Sequence, residues 1–193
     1  MRPNQISLLG VVFAALAALC FVLAGRSDGT PRVVLLLLAA GLIPLRLLCN
    51  LLDGMLAVEG GLQTASGELY NELPDRIADL LIVAGAGYAA PGIPWAVDLG
   101  WVAAASAVLT AYTRTLGVAA GAGQHFVGPM AKPRRMHVLI AAAVLAAIVT
   151  ALDEGSAQAG DWALVVSLGI ILVGNIVTIA QRLQRIVADL ESA

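Results

Sequence analysis

Asn50-Leu-Leu-Asp53-Gly54 and, after a short intervening stretch, Gly67-Glu-Leu-Tyr-Asn71-Glu-Leu-Pro-Asp75-Arg76-Ile-Ala-Asp79 stand between long apolar runs on both sides. Leu35-Leu-Leu-Leu-Ala-Ala40 leads into the first, and Leu80-Leu-Ile-Val83 follows the second. A carboxylate at membrane depth is costly unless it is paired, solvated or bound to a metal, so acids placed there mark a functional site. The runs around them fix the fold class.

Hydrophobic residues make up 60% of the 193 residues and charged residues 12%, a balance no ordinary soluble domain shows. Apolar segments fall at about 6–25, 32–58, 73–90, 95–117, 136–152 and 162–181. At roughly 20 residues per crossing, six spans with short loops exhaust the chain. The expected fold is therefore an all-α polytopic membrane protein of about six helices, a single domain over residues 1–193. Backbone groups in hydrocarbon must be satisfied within a helix or a closed barrel, and the ten-residue alternation of a barrel is absent from the sequence. Breaks fall at Gly25-Arg-Ser-Asp-Gly-Thr-Pro31, Pro91-Gly-Ile-Pro94 and Asp153-Glu-Gly-Ser156. Residues 6–25 lack a small-residue cleavage site before Arg26 and read as a retained first helix.

Basic residues near the span ends set the orientation. With the N-terminus inside, the inner segments carry Arg2, Arg114, Lys132, Arg134, Arg135, Arg182 and Arg185, and the outer loops only Arg26 and Arg32. This predicts an N-in, C-in topology with the acidic stretch facing the cytoplasm. Cys20 and Cys49 lie in apolar runs and read as small hydrophobes. No basic run with interleaved aromatics points to nucleic acid.

Asn50 and Asp53 are three residues apart and share a helix face; Asn71, Asp75 and Asp79 repeat at four-residue spacing. Two oxygen-bearing stripes of this kind can converge on a hard divalent cation. Pro74 falls in the first turn of a helix starting near residue 73, where its missing N–H costs little. Each acid also has a structural reading. Asp53 and Asp75 can pair with Arg46 and Arg76, Asp79 can serve helix packing, and Glu68 and Glu72 suit a helix N-terminus. His125 and His137 share no ligand spacing and read as interfacial residues, Trp95, Trp101 and Trp162 fit an aromatic belt, and Gly85 and Gly87 suit close helix packing.

Asn50-x-x-Asp53-Gly54-x-x-Ala57-Val58, eight residues, and Gly67-x-x-x-Asn71-x-x-x-Asp75 resemble the CDP-alcohol phosphotransferase signature DxxDGxxAR, eight residues, GxxxDxxxD. Tyr112-x-Arg114 and Lys132-Pro-Arg-Arg135 extend the resemblance along the chain. It implies a phospholipid-biosynthetic enzyme of the bacterial-type inner membrane. Such an enzyme moves a phosphatidyl or phosphoalcohol group from a CDP-linked lipid or alcohol to an acceptor hydroxyl and releases CMP. It also implies Mg2+ or Mn2+ at Asn50, Asp53, Asn71 and Asp75, with Asp75 as the catalytic base. Nucleotide contacts fall on Asp53, Gly54, Ala57 and Gly67, and Arg114, Lys132, Arg134 and Arg135 would hold a lipid or acceptor phosphate. A homodimer follows from the resemblance alone.

Three positions depart from the signature: Asn50 and Asn71 stand for aspartates and Val58 for the arginine. An amide oxygen can ligate a hard cation, but it is neutral and monodentate, so one metal fits better than two. The departures leave a second reading, a catalytically silent relative that keeps the fold and binds nucleotide or lipid. A third, a small transporter using Asp53, Asp75 and Asp79 as a relay, has no inverted repeat behind it.

Overall fold

The computed structural model describes residues 3–58, 67–152 and 158–192. Six helices account for nearly all of it: α1 (Pro3–Ala24), α2 (Gly29–Val58), α3 (Gly67–Tyr88), α4 (Ala96–Ala119), α5 (Lys132–Leu152) and α6 (Gln158–Ser192). Five are long and apolar enough to cross a membrane. The exception is α3, equally suited by its 22 residues but carrying Asp75, Arg76 and Asp79 around its middle.

The apolar pattern is that of a membrane bundle. Along α1 the buried positions are mostly small, Ala14, Ala17, Ala18 and Ala24 with Phe21, while Leu8, Val12, Leu16, Leu19 and Leu23 face outward. Lipid tails are as apolar as leucine, so large side chains gain nothing by turning inward, and small ones let backbones approach. Gly85 meets α1 at Ala18, and Gly87 meets α4 at Ala96 and Gly100. A Cβ on Gly87 would lie 2.6 Å from the Ala96 carbonyl oxygen, so close packing is what these two glycines provide. Cys20 and Cys49 are both free thiols.

Neighbouring helices run in a closed ring, α1, α2, α5, α6, α4, α3 and back to α1. Helices α2 and α3 therefore touch only sparingly, with α1 packed against both. Their polar stripes meet at one end of the bundle through long side chains that bridge the gap.

The helix ends differ from the sequence expectation in ways that matter there. α3 begins at Gly67, so Pro74 lies inside the helix, not in its first turn. It thus removes one N–H from the helical ladder beside Asp75. Pro44 does the same inside α2, shortly before Arg46. α5 starts at Lys132, which puts Lys132 and Arg135 on its first turn. α6 continues to Ser192 and, at about 1.5 Å per residue, is roughly 50 Å long, well beyond a hydrocarbon core of about 30 Å.

Candidate active site

Asp75 is the meeting point. Arg46 of α2 reaches its Oδ1 at 3.1 Å and its main-chain carbonyl at 3.2 Å. The ammonium of Lys132, from α5, donates to Asp75 Oδ2 and to the amide oxygen of Asn50. Three helices are joined at one carboxylate. The structural pairing anticipated for Asp75 is thus real, but its partners are Arg46 and Lys132; Arg76 turns instead to Glu72, one helical turn earlier.

One turn deeper, Asp79 is fully paired. Its Oδ1 takes Arg46 at 3.0 Å and its Oδ2 takes Arg135 at 2.7 Å. Arg135 also donates to the Met130 carbonyl at 3.0 Å and lies near Asn175, whose amide donates to Ser106 Oγ at 2.9 Å. Of the two roles open to Asp79, helix packing is the one these bonds serve. The carboxylate holds Arg46 and Arg135 in fixed positions, and Arg46 passes that constraint to Asp75.

Asp53 differs from both. Only 4% exposed, it accepts a bond from Ser7 at Oδ2, while its buried Oδ1 has no protein partner. Ser7, Asn50, Asp53, Asp75 and Arg46 line a space of about 10 Å³. That is about the volume of one water-sized sphere. An orphaned buried carboxylate oxygen beside such a space satisfies a basic requirement for a cation. The space suits at most a single divalent ion on the Asp53 side, since Lys132 already donates to Asn50 and Asp75. Among the described residues no group of three or more histidine, cysteine, aspartate or glutamate side chains is gathered as a metal cluster. The side chains of Ala57, Val58, Glu68 and Asn71 lie outside the described residues.

On the other side of Asp75 is a larger cavity of about 250 Å³ between α3, α4, α5 and α6. Its charged lining is Glu72 and Asp75 against Arg76, Arg114, Lys132, Arg135 and Arg182. Arg114 donates to Glu72 at 2.6 Å and lies over the Phe126 ring, 4.9 Å from its centre. Arg182 bonds the carbonyls of Val127 and Thr110. Five cations facing two acids attract an anion, and guanidinium groups suit a phosphate.

Three of the four basic residues expected at an acceptor phosphate thus line this cavity. The correction is Arg134. It sits next to Arg135 on the first turn of α5, so its side chain points about 100° away. It is exposed and bonds the Pro129 carbonyl at 3.0 Å. Arg76 and Arg182 complete the lining and were missed as site residues. Arg182 read as an inner anchor, and its place two turns beyond Asn175, on the face that buries Thr178, was the signal. Glu72 pairs with Arg76 and Arg114, so it has more to do than meet the helix dipole. His125 contacts Asp189 at 2.7 Å, tying the loop before α5 to the end of α6. A Cβ on Gly54 would meet nothing within 4 Å, so packing does not explain a glycine there.

No protein-family profile matches the chain, and no curated protein sequence is significantly similar to it. Solved structures are. The phosphatidylinositol phosphate synthase of Mycobacterium tuberculosis with CDP-DAG bound superposes with a TM-score of 0.74 at 20% identity, over 96% of this chain and 86% of that one. This chain shares the fold of that synthase. The same enzyme in complex with manganese and citrate gives a TM-score of 0.75 at 20% identity, covering 96% of this chain and 82% of that one. Its apo form gives 0.65 at 21% identity, over 93% and 89%.

Proposed function

We propose that this protein is a membrane phosphotransferase that moves a phosphatidyl or related phosphoalcohol group from a CDP-linked lipid to the hydroxyl of an acceptor that itself carries an anionic group. The observation that carries this reading is the position of Asp75. It stands between a one-ion space lined by Asn50 and Asp53 and a 250 Å³ cavity lined by five cations. The synthase of the same fold binds CDP-DAG in one structure and manganese with citrate, a polyanion, in another.

In the reaction, the acceptor oxygen forms a bond to the lipid-bearing phosphorus, and the bridging P–O bond breaks with its electron pair going to CMP. Asp75 takes the acceptor proton, Arg46 fixing its orientation through Oδ1. Arg114, Lys132, Arg135 and Arg182 hold the acceptor's anionic group beside it. Gly54 leaves room for the nucleotide, since any side chain there would project into open space. A divalent Mg2+ or Mn2+ centred on Asp53 would supply charge neutralisation for the diphosphate and the departing CMP. The site would face the cytoplasm in an N-in, C-in topology, as the arginine and lysine bias requires.

One observation favours a second reading, a silent relative that binds nucleotide or lipid: both oxygens of Asp75 are engaged by cations. Binding of CDP and CDP-diacylglycerol to detergent-solubilised protein, with and without Mg2+ or Mn2+, followed by detection of CMP on addition of alcohols, separates the two. CMP release supports the transferase. Binding with no release under any acceptor or metal supports the silent relative, and no nucleotide binding removes both.

A further inference from the structure

Lys132 is placed unusually for a residue that only needs to hold a phosphate. Its ammonium bridges Asn50 of α2 and Asp75 of α3, two of the residues that line the small space beside Asp53. Asn50 makes this possible. A neutral amide oxygen accepts an ammonium hydrogen bond well, but offers a divalent ion no charge. A signature with four aspartates would bring four negative charges, enough to balance two divalent ions; here Asp53 and Asp75 bring two.

The cations already present match that reduction. Asp53, Asp75 and Asp79 are set against Arg46, Lys132 and Arg135, three carboxylates to three cations. A divalent ion entering between Asn50 and Asp75 would displace the Lys132 ammonium and then face it at close range. Like charges repel more strongly at short range where little water screens them. The orphaned Asp53 Oδ1 has no such competitor bonded to it.

We infer that Lys132 is a tethered cation that occupies the Asn50–Asp75 side of the site, so that the protein takes at most one divalent ion. This deepens the proposed function and rests on it for the identity of the site. The ammonium lines the large cavity and would supply beside a bound diphosphate a single fixed charge that no chelator can remove.

The test is a count of bound Mn2+ by electron paramagnetic resonance on the full-length protein in detergent, in the presence of CDP. Wild type is compared with the double variant Asn50→Asp/Lys132→Met, each checked for helical content and monodisperse elution. The inference expects at most one ion in wild type and one more in the double variant. Two ions in wild type overturn it, a result that needs no variant to fold. An unchanged count in a folded double variant also overturns it. Failure of CDP to bind wild type at all would instead remove the proposed function, while the difference in ion count still reports on Lys132.

Discussion

Each end of this bundle buries arginine–aspartate pairs, and the two ends behave differently. At one end Arg32 of α2 meets Asp161 of α6, each 1% exposed. Asp161 also accepts the Gly92 N–H at 2.7 Å, and Arg32 donates to the Ala89 carbonyl at 3.1 Å. These bonds tie α2, α6 and the α3–α4 connection into a clasp. At the other end Arg46, Asp79 and Arg135 make a similar buried set, but it continues outward to Asp75, Lys132 and Asn50 and borders a cavity with an excess of cations. Burial of charge alone therefore does not identify a site in a membrane protein. Unbalanced charge beside open space does, because only there is a ligand needed to complete the set.

The sharpest way to break this contrast is Asp75→Asn. A general base contributes about 10² to 10⁴-fold, so CMP release should fall by that factor while helical content and elution stay unchanged. Undiminished release would make Asp75 a clasp residue like Asp161. The converse variant, Asp161→Ala, leaves Arg32 buried and uncompensated. It should lower stability by about 3–5 kcal/mol in thermal unfolding, with CMP release per folded molecule unaltered. A loss of turnover without loss of stability would show that the clasp is not merely structural.

Arg114→Ala sharpens the charge side of the contrast. Hydrogen bonds to charged groups are worth about 1.5–3 kcal/mol, so the KM for an anionic acceptor should rise about 10 to 100-fold, with a smaller effect on kcat. Arg134→Ala, next to the same cavity in sequence but bonded to Pro129, should leave KM unchanged. Equal effects would mean that only overall positive charge matters. The smallest expected change is in the stability of Gly54→Ala. With nothing within 4 Å of the added methyl, thermal unfolding should shift by no more than about 1 kcal/mol, while CDP affinity falls. Unchanged CDP affinity would remove the nucleotide from that helix face.

The fold was legible because its determinants are local. Leucine and alanine runs separated by glycine, proline and aspartate breaks define helices without reference to any partner, and six segments become α1–α6. Helix ends were less so. The first turns of α3 carry polar residues that hydropathy assigns to a loop, which is why Pro74 was misplaced relative to its helix. The site was half legible. Asp53, Asp75, Arg114, Lys132 and Arg135 share a spacing or a short motif, and the structure brings them around the two adjoining spaces. Arg46 was legible only as a pairing partner, and Arg182 only through its spacing from Asn175 on one face of α6. That both reach these spaces from α2 and α6 depends on the ring order of the helices, a tertiary fact.

The most direct test of the central claim is CMP release from CDP-diacylglycerol by purified protein with Mg2+ or Mn2+, given matched pairs of alcohols that differ only in a phosphate group. The account predicts release with the phosphate-bearing member of a pair and little with its neutral counterpart, because five cations line the cavity next to Asp75. Equal release from both members, or CDP-diacylglycerol binding with no release from any, would contradict it.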